Sequence, residues 1–290
     1  MDGRAPEDDK ELASEAGLFS ALLRHWRGRC GLSQLDLSLA AGVSARHISY
    51  LETGRSNPSP EMILTLASAL GVPLRQTNQM LRAAGHEPVF EDDERNLPQS
   101  VSDALELLKR HNEPYPVIIM DPAYNVRDTN RAAATVLREL LGDQFANRLT
   151  GPGKRQPGPN LARVTFEPDG ASSVLANFDT VGRELLWRIQ REVLAYPDDG
   201  EMGALLRELT AMPTVHPDWR RFDPSDYSDP ALVLHFRSNT LELKFLATLA
   251  AFQTPHHVEV ERLRIETWFP FDATTEETCR NLSQDPQATH

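Results

Sequence analysis

The apolar positions Leu18, Leu22, Leu23 and Trp26 recur at helical spacing and Gly31 supplies a stop, so the pattern predicts a first helix from Leu18. Ser33 then caps a second helix, with Asp36 three residues on as its capping-box partner and Leu35 and Leu39 read as facing inward. Ala41-Gly42-Val43 forms the turn, where Gly42 is free to take a positive φ. Ser44 caps a third helix ended by Gly54, with Ile48 and Leu51, three apart, as its inward pair. Pro58 and Pro60 break the chain before a fourth helix over Glu61–Leu70. Pro73 opens a fifth, running to about Ala84 and closed by Gly85.

Beyond the charged stretch Glu91–Pro98 the periodicity becomes mixed. Val101–Lys109 reads as helix, Pro116–Met120 and Tyr124–Arg127 as strands around the turn Asp121-Pro122-Ala123, and Thr129–Leu141 as an Ala-rich helix. Residues 151–159, rich in Gly and Pro, read as a loop. Helical spacing returns over Phe178–Ala195 and Glu201–Met212. Three strands follow, Ala231–Ser238, Thr240–Ala250 and His257–Phe269, the first two joined by a turn at Ser238-Asn239. The expected fold class is α+β. Residues 1–17 form a disordered leader, 18–90 a five-helix module, 91–99 a linker, 100–282 a domain with a five-stranded antiparallel sheet and helices, and 283–290 a tail.

The net charge of −12 first argues against nucleic acid. Its distribution reverses that reading. Residues 18–90 hold seven basic side chains against four acidic ones, while the acids concentrate in the leader and in the residues after 90. The two cysteines, Cys30 and Cys279, make no disulfide framework and lack metal-ligand spacing. The N-terminus has no signal pattern, and the longest apolar run is far short of a membrane span, which points to the cytoplasm.

With Ile48 and Leu51 turned inward, the third helix presents Ala45, Arg46, Ser49 and Tyr50 near its N-terminal outer face, the placement that lays a helix in a major groove. Arg46 has the fork to read a guanine, and Ala45 is small enough to touch a thymine methyl. Gln34, at the start of the second helix, suits a phosphate clamp, with Arg24, Ser44, Arg55 and Asn57 as further DNA-binding candidates. Ser33-Gln34, Leu39-Ala40, Gly42-Val43-Ser44, Ile48-Ser49, Leu51-Glu52 and Gly54-Arg55 resemble the repressor-type helix–turn–helix of the XRE and phage Cro family. That resemblance implies base contacts from Ala45, Arg46, Ser49 and Tyr50 and a phosphate contact from Gln34. Many relatives carry Gln where this chain has Ala45 and Arg46, so no operator follows from it.

Pro114-Tyr115-Pro116-Val117 through Asn130-Arg131-Ala132 is similar to the entry of a PAS-type sensor. With Phe252-Gln253-Thr254-Pro255, Leu263-Arg264-Ile265-Glu266 and Phe269-Pro270, it looks like the MmyB-type ligand-binding domain, although Gln253 stands where relatives have Gly. The resemblance implies a PAS-like fold and a small, largely apolar, fatty-acid-like effector. Phe178, Trp187, Leu234, Phe236, Leu243 and Phe245, on apolar stripes, are the candidate ligand residues, while His235 and Arg237 alternate with the stripe and read as surface. No catalytic or phosphate-binding motif is present, His256-His257 lacks partners for a metal, and no resident cofactor is expected. The combined expectation is a homodimeric regulator that binds duplex DNA and a small apolar effector, acts at no membrane and is not an enzyme. The alternative leaves the second domain to dimerise or dock a protein without a ligand.

Overall fold

The computed structural model describes residues 7–92, 97–143, 145, 158–195, 200–220, 232–252 and 256–284, with backbone alone for 7–16 and 220. The expected loop over 151–157 and the motif residues Gln253, Thr254 and Pro255 lie outside them. The chain forms two compact units. One is residues 1–97 together with Phe252–Glu261, and the other is Pro98–Ala251 with Arg262–His290.

The first unit holds α1 (Glu7–Arg29), α2 (Gln34–Ala41), α3 (Ala45–Glu52), α4 (Pro60–Ala69) and α5 (Leu74–Ala83). α1 starts within the stretch expected as a disordered leader. The caps are those the sequence predicts. Ser33 and Asp36 close a capping box on α2, Gly42 ends it at φ 65°, and Ser44 accepts from the His47 amide. Ile48 and Leu51 are fully buried beside Phe19, Leu23, Leu37, Ile63 and Leu66.

Leu35 and Leu39 correct the sequence reading, because both are exposed and Leu37 takes the core position. α2 carries apolar residues on nearly every side, so its periodicity selects no face. Packing against α3 and α4 makes the selection. Leu18 is likewise exposed, with Phe19 turned inward.

The second unit runs α6 (Gln99–Asn112), β1 (Val117–Met120), β2 (Val126–Thr129), α7 (Arg131–Leu141), α8 (Leu161–Phe166), α9 (Phe178–Ala195), α10 (Gly200–Thr210), β3 (Val233–Arg237) and β4 (Glu242–Ala250). Then come α11 (Val258–Arg262), which interrupts the unit, β5 (Arg264–Pro270) and α12 (Ala273–Gln284). All sheet pairings are antiparallel, in the order β2-β1-β5-β4-β3. Asn130 accepts from the Val117 and Ala133 amides and donates to the Tyr115 carbonyl, tying β1 to the start of α7.

Two expectations for this region change. The strand read over His257–Phe269 divides into α11 and β5, because the alternation that marks a strand begins only at Arg264. α12 went unread because its buried positions, Thr275 and Cys279, give a thin apolar stripe. Burial raises the Cys279 thiol to about 11, so it stays protonated and unreactive at neutral pH.

Registry places the inward side chains on one sheet face. Leu234 lies opposite Phe245, Phe236 opposite Leu243, Ala247 opposite Trp268 and Ile118 opposite Glu266. Glu266 is therefore a carboxyl on the sheet face that carries Leu234, Phe236 and Trp268, packed over by residues of α7, α8 and α9.

Candidate functional site

In the first unit the N-cap Ser44, Arg46 of α3, and Arg55 and Asn57 just past α3 are exposed, with Ala45, Ser49 and Tyr50 partly exposed and Arg24 exposed on α1. The Arg46 Nε–H donates to the Tyr50 hydroxyl at 2.9 Å, and the guanidinium lies 5.3 Å from that ring's centroid. One turn of helix thus holds the arginine with both terminal NH2 groups left over, the pair a bidentate guanine contact uses.

Gln34, the expected phosphate clamp, is half-buried at the start of α2. Its side-chain amide donates to Glu52 at 2.8 Å. Arg27 donates to the same carboxylate at 2.5 and 3.0 Å, so Glu52, 3% exposed, binds α1, α2 and α3 together. Burial works against the charged form of Glu52, but the hydrogen bonds from Arg27 and Gln34 outweigh it and hold the carboxyl below its ordinary range. Sequence reasoning missed this pair. The signal was available, since Glu52 lies four residues after Ile48, on the inward face.

The second unit contains a largely apolar cavity, partly open to solvent, between the sheet and α7, α8 and α9. Its walls include Leu137, Leu161, Val164, Val181, Leu185, Leu234, Phe236 and Trp268. Three of its lining residues carry strong polar groups: Tyr124, Arg188 and Glu266. Trp268 Nε1–H donates to Glu266 at 2.6 Å. Burial pushes the Glu266 carboxyl up despite that bond and the Arg188 charge, and it pushes the Tyr124 phenol up as well. Tyr124 has φ 65°, uncommon for a residue with a side chain, in the turn between β1 and β2.

The family described as the MmyB-like transcription regulator ligand binding domain matches residues 101–282. The chain belongs to that family. A helix-turn-helix family also matches, over residues 23–76 of this MmyB-like chain. Over 83 residues it is 32% identical to the HTH-type transcriptional regulator DdrOP3 of Deinococcus deserti, a stretch that makes up 29% of this chain and 60% of that protein. The match thus spans less than two thirds of that curated relative's length.

Two solved structures show weaker likeness. The hypothetical transcription factor NHTF from Neisseria is 23% identical, with 36% of this chain and 95% of that one covered and a TM-score of 0.21. An RNA-binding light-oxygen-voltage receptor is 11% identical, with 100% and 70% covered and a TM-score of 0.27.

Of the six candidate ligand residues of this MmyB-like chain, Leu234 and Phe236 line the cavity. The other four do not. Trp187 is buried and donates to the Trp219 carbonyl at 3.1 Å, Phe178 packs edge-on against Phe166 and Trp219, and Leu243 and Phe245 are fully buried in the core. The missed residues carried a legible signal. Glu266 shares a strand face with Trp268, and Arg188 is a charge that continues the helical face of Val181 and Leu185. His235 and Arg237 meet Glu242 on the surface at 2.7 and 3.0 Å. Among the described residues no group of three or more His, Cys, Asp or Glu side chains is placed to hold a metal ion, and no helix is long and apolar enough to cross a membrane.

Proposed function

We propose that this chain is a sequence-specific DNA-binding regulator whose second unit senses a small, largely apolar molecule with one polar head, fatty-acid-like in outline. The observation that carries the sensing is the cavity itself. Its walls are apolar, yet it presents a guanidinium, a phenol and a carboxyl where a ligand head would lie. Arg188 supplies charge-assisted donors for an acidic head, beside the Glu266 carboxyl whose neutral form burial favours. The effector is the molecule bound, with no resident cofactor, and the protein works in the cytoplasm.

DNA reading rests on α3. A homodimer would place two copies of Arg46 on half-sites about one helical turn apart. Arg46→Ala should relax discrimination at one base pair by about 1–3 kcal/mol. Gln34→Ala, by contrast, should weaken binding to every sequence alike. Both are read in a gel-shift assay at fixed salt against an operator selected from random DNA. Wild-type behaviour of both variants would remove α3 from the groove.

For the sensor, organic extraction of the purified chain followed by mass spectrometry should recover an amphiphile. Arg188→Gln should weaken binding of lauric acid by about tenfold, the loss of one charge-assisted hydrogen bond. An empty extract together with no thermal shift across a fatty-acid panel would leave the second unit as a dimerising or docking body.

A further inference from the structure

α5 begins without a cap of its own. Its N-cap is Pro73, no side chain of the neighbouring sequence bonds its first turn, and that turn holds no acid. The missing acceptor comes from far along the chain, because Glu261 takes the Leu74 N–H at 2.9 Å. Beside it Glu259 meets Arg75 at 3.1 Å, and Arg75 also holds Asp92 at 2.7 Å. His257 bridges to Glu91 in parallel register and the Val258 amide donates to the Glu91 carbonyl, with Val258 and Val260 buried. These are contacts of one compact unit, the unit that carries α3.

The chain that makes them is the connection between β4 and β5. It leaves by a short route. After Glu261 comes Arg262, 3.9 Å from Glu201 of α10, then buried Leu263, and then β5, where Glu266 and Trp268 wall the cavity. Only a few residues of continuous backbone separate the acid that caps α5 from the carboxyl inside the cavity.

We propose that residues 256–262 are the regulatory strap of this chain. Glu259 and Glu261, seated on Arg75 and the Leu74 amide, make the seating of α5 depend on the state of β5. α5 packs on α1 and α4, and α1 in turn packs on α3, with the Ser20 hydroxyl bonded to the Leu51 carbonyl, so a shift at α5 reaches the recognition helix through packed elements. The proposal rests on the reading of α3 as a DNA reader and of the cavity as a ligand site. By linkage it also requires the reverse effect, in which DNA held by α3 alters β5.

The test is hydrogen exchange of the β5 amides in the full chain, with and without an operator selected from random DNA by the wild-type protein. DNA should change their exchange rates by about fivefold or more. The double variant Arg75→Ala with Glu261→Ala should bind the same DNA but lose that response. The charge swap of Arg75→Glu with Glu259→Arg should retain it better than either single change. β5 exchange indifferent to DNA in the wild type, or a response undiminished in the double variant, overturns the strap.

A second arm adds lauric acid, with its binding followed by tryptophan fluorescence. Where it binds the wild type it should shift DNA affinity about fivefold, and it should do so far less in the double variant. Binding without any shift in the wild type overturns the strap. Lauric acid that fails to bind counts against the ligand class alone, and the exchange experiment still decides the strap.

Discussion

Replacing Glu52 with Ala should destabilise the helical unit by about 3–5 kcal/mol, because it strands a partly buried guanidinium that no longer has its counter-charge. Arg27 has two donors on that carboxylate and Gln34 has a third, so one truncation releases α1, α2 and α3 from a shared anchor. The loss is read in the intact chain as faster amide exchange in α1 and α3, with α9 unaffected. A surface ion pair in its place would contribute only about 0–1 kcal/mol, which makes the measured size diagnostic.

The pH dependence of that anchor follows from its direction. A carboxyl held below its ordinary value of 4.5 contributes stability that is fully present above that value and is lost as pH falls through its lowered folded value. Glu52→Gln should therefore weaken the unit at neutral pH and flatten its acid-side decline. A wild-type unit equally stable at neutrality and well below pH 4.5 would contradict the pairing.

Trp187→Ala should cost the second unit about 3–5 kcal/mol, the range for emptying a fully packed aromatic site. Trp187 is 2% exposed and its indole N–H is bonded to the Trp219 carbonyl, so the change leaves both a void and a carbonyl without its donor. Leu234→Ala, at the wall of an existing cavity, should lower stability less and ligand affinity more. Calorimetry of the intact chain separates the two. A Trp187 variant with wild-type melting and impaired lauric acid binding would return this residue to the ligand site.

These two residues show where sequence legibility stops. An apolar stripe on a helix or strand says that its residues face inward, and Phe178, Trp187, Leu243 and Phe245 all do. It does not say which of them meet another side chain and which meet a space. That depends on how volumes from α7, α8, α9 and the sheet sum at each point, and Leu234 and Phe236 differ from Leu243 and Phe245 only by their distance from the unfilled part. The Arg188 charge was more legible than the apolar lining, since it breaks a helical stripe with Val181 and Leu185 that a plain core would keep apolar. Leu35 and Leu39 make the complementary case, where an apolar residue on a helix with no polar side carries no directional information.

The sequence by itself determined the α+β class, the caps of α2 and α3, the turn at Gly42, the inward pair Ile48 and Leu51 and the outward set around Arg46. Each of these depends on residues within a few positions of one another, where backbone geometry converts spacing directly into direction. The tertiary structure alone decided the Arg27–Glu52 anchor, 25 residues apart, the cavity, and the cap that Glu261 places on α5 across 187 residues. Those depend on partners brought together by packing, and no local period in the chain encodes which distant side chain will arrive.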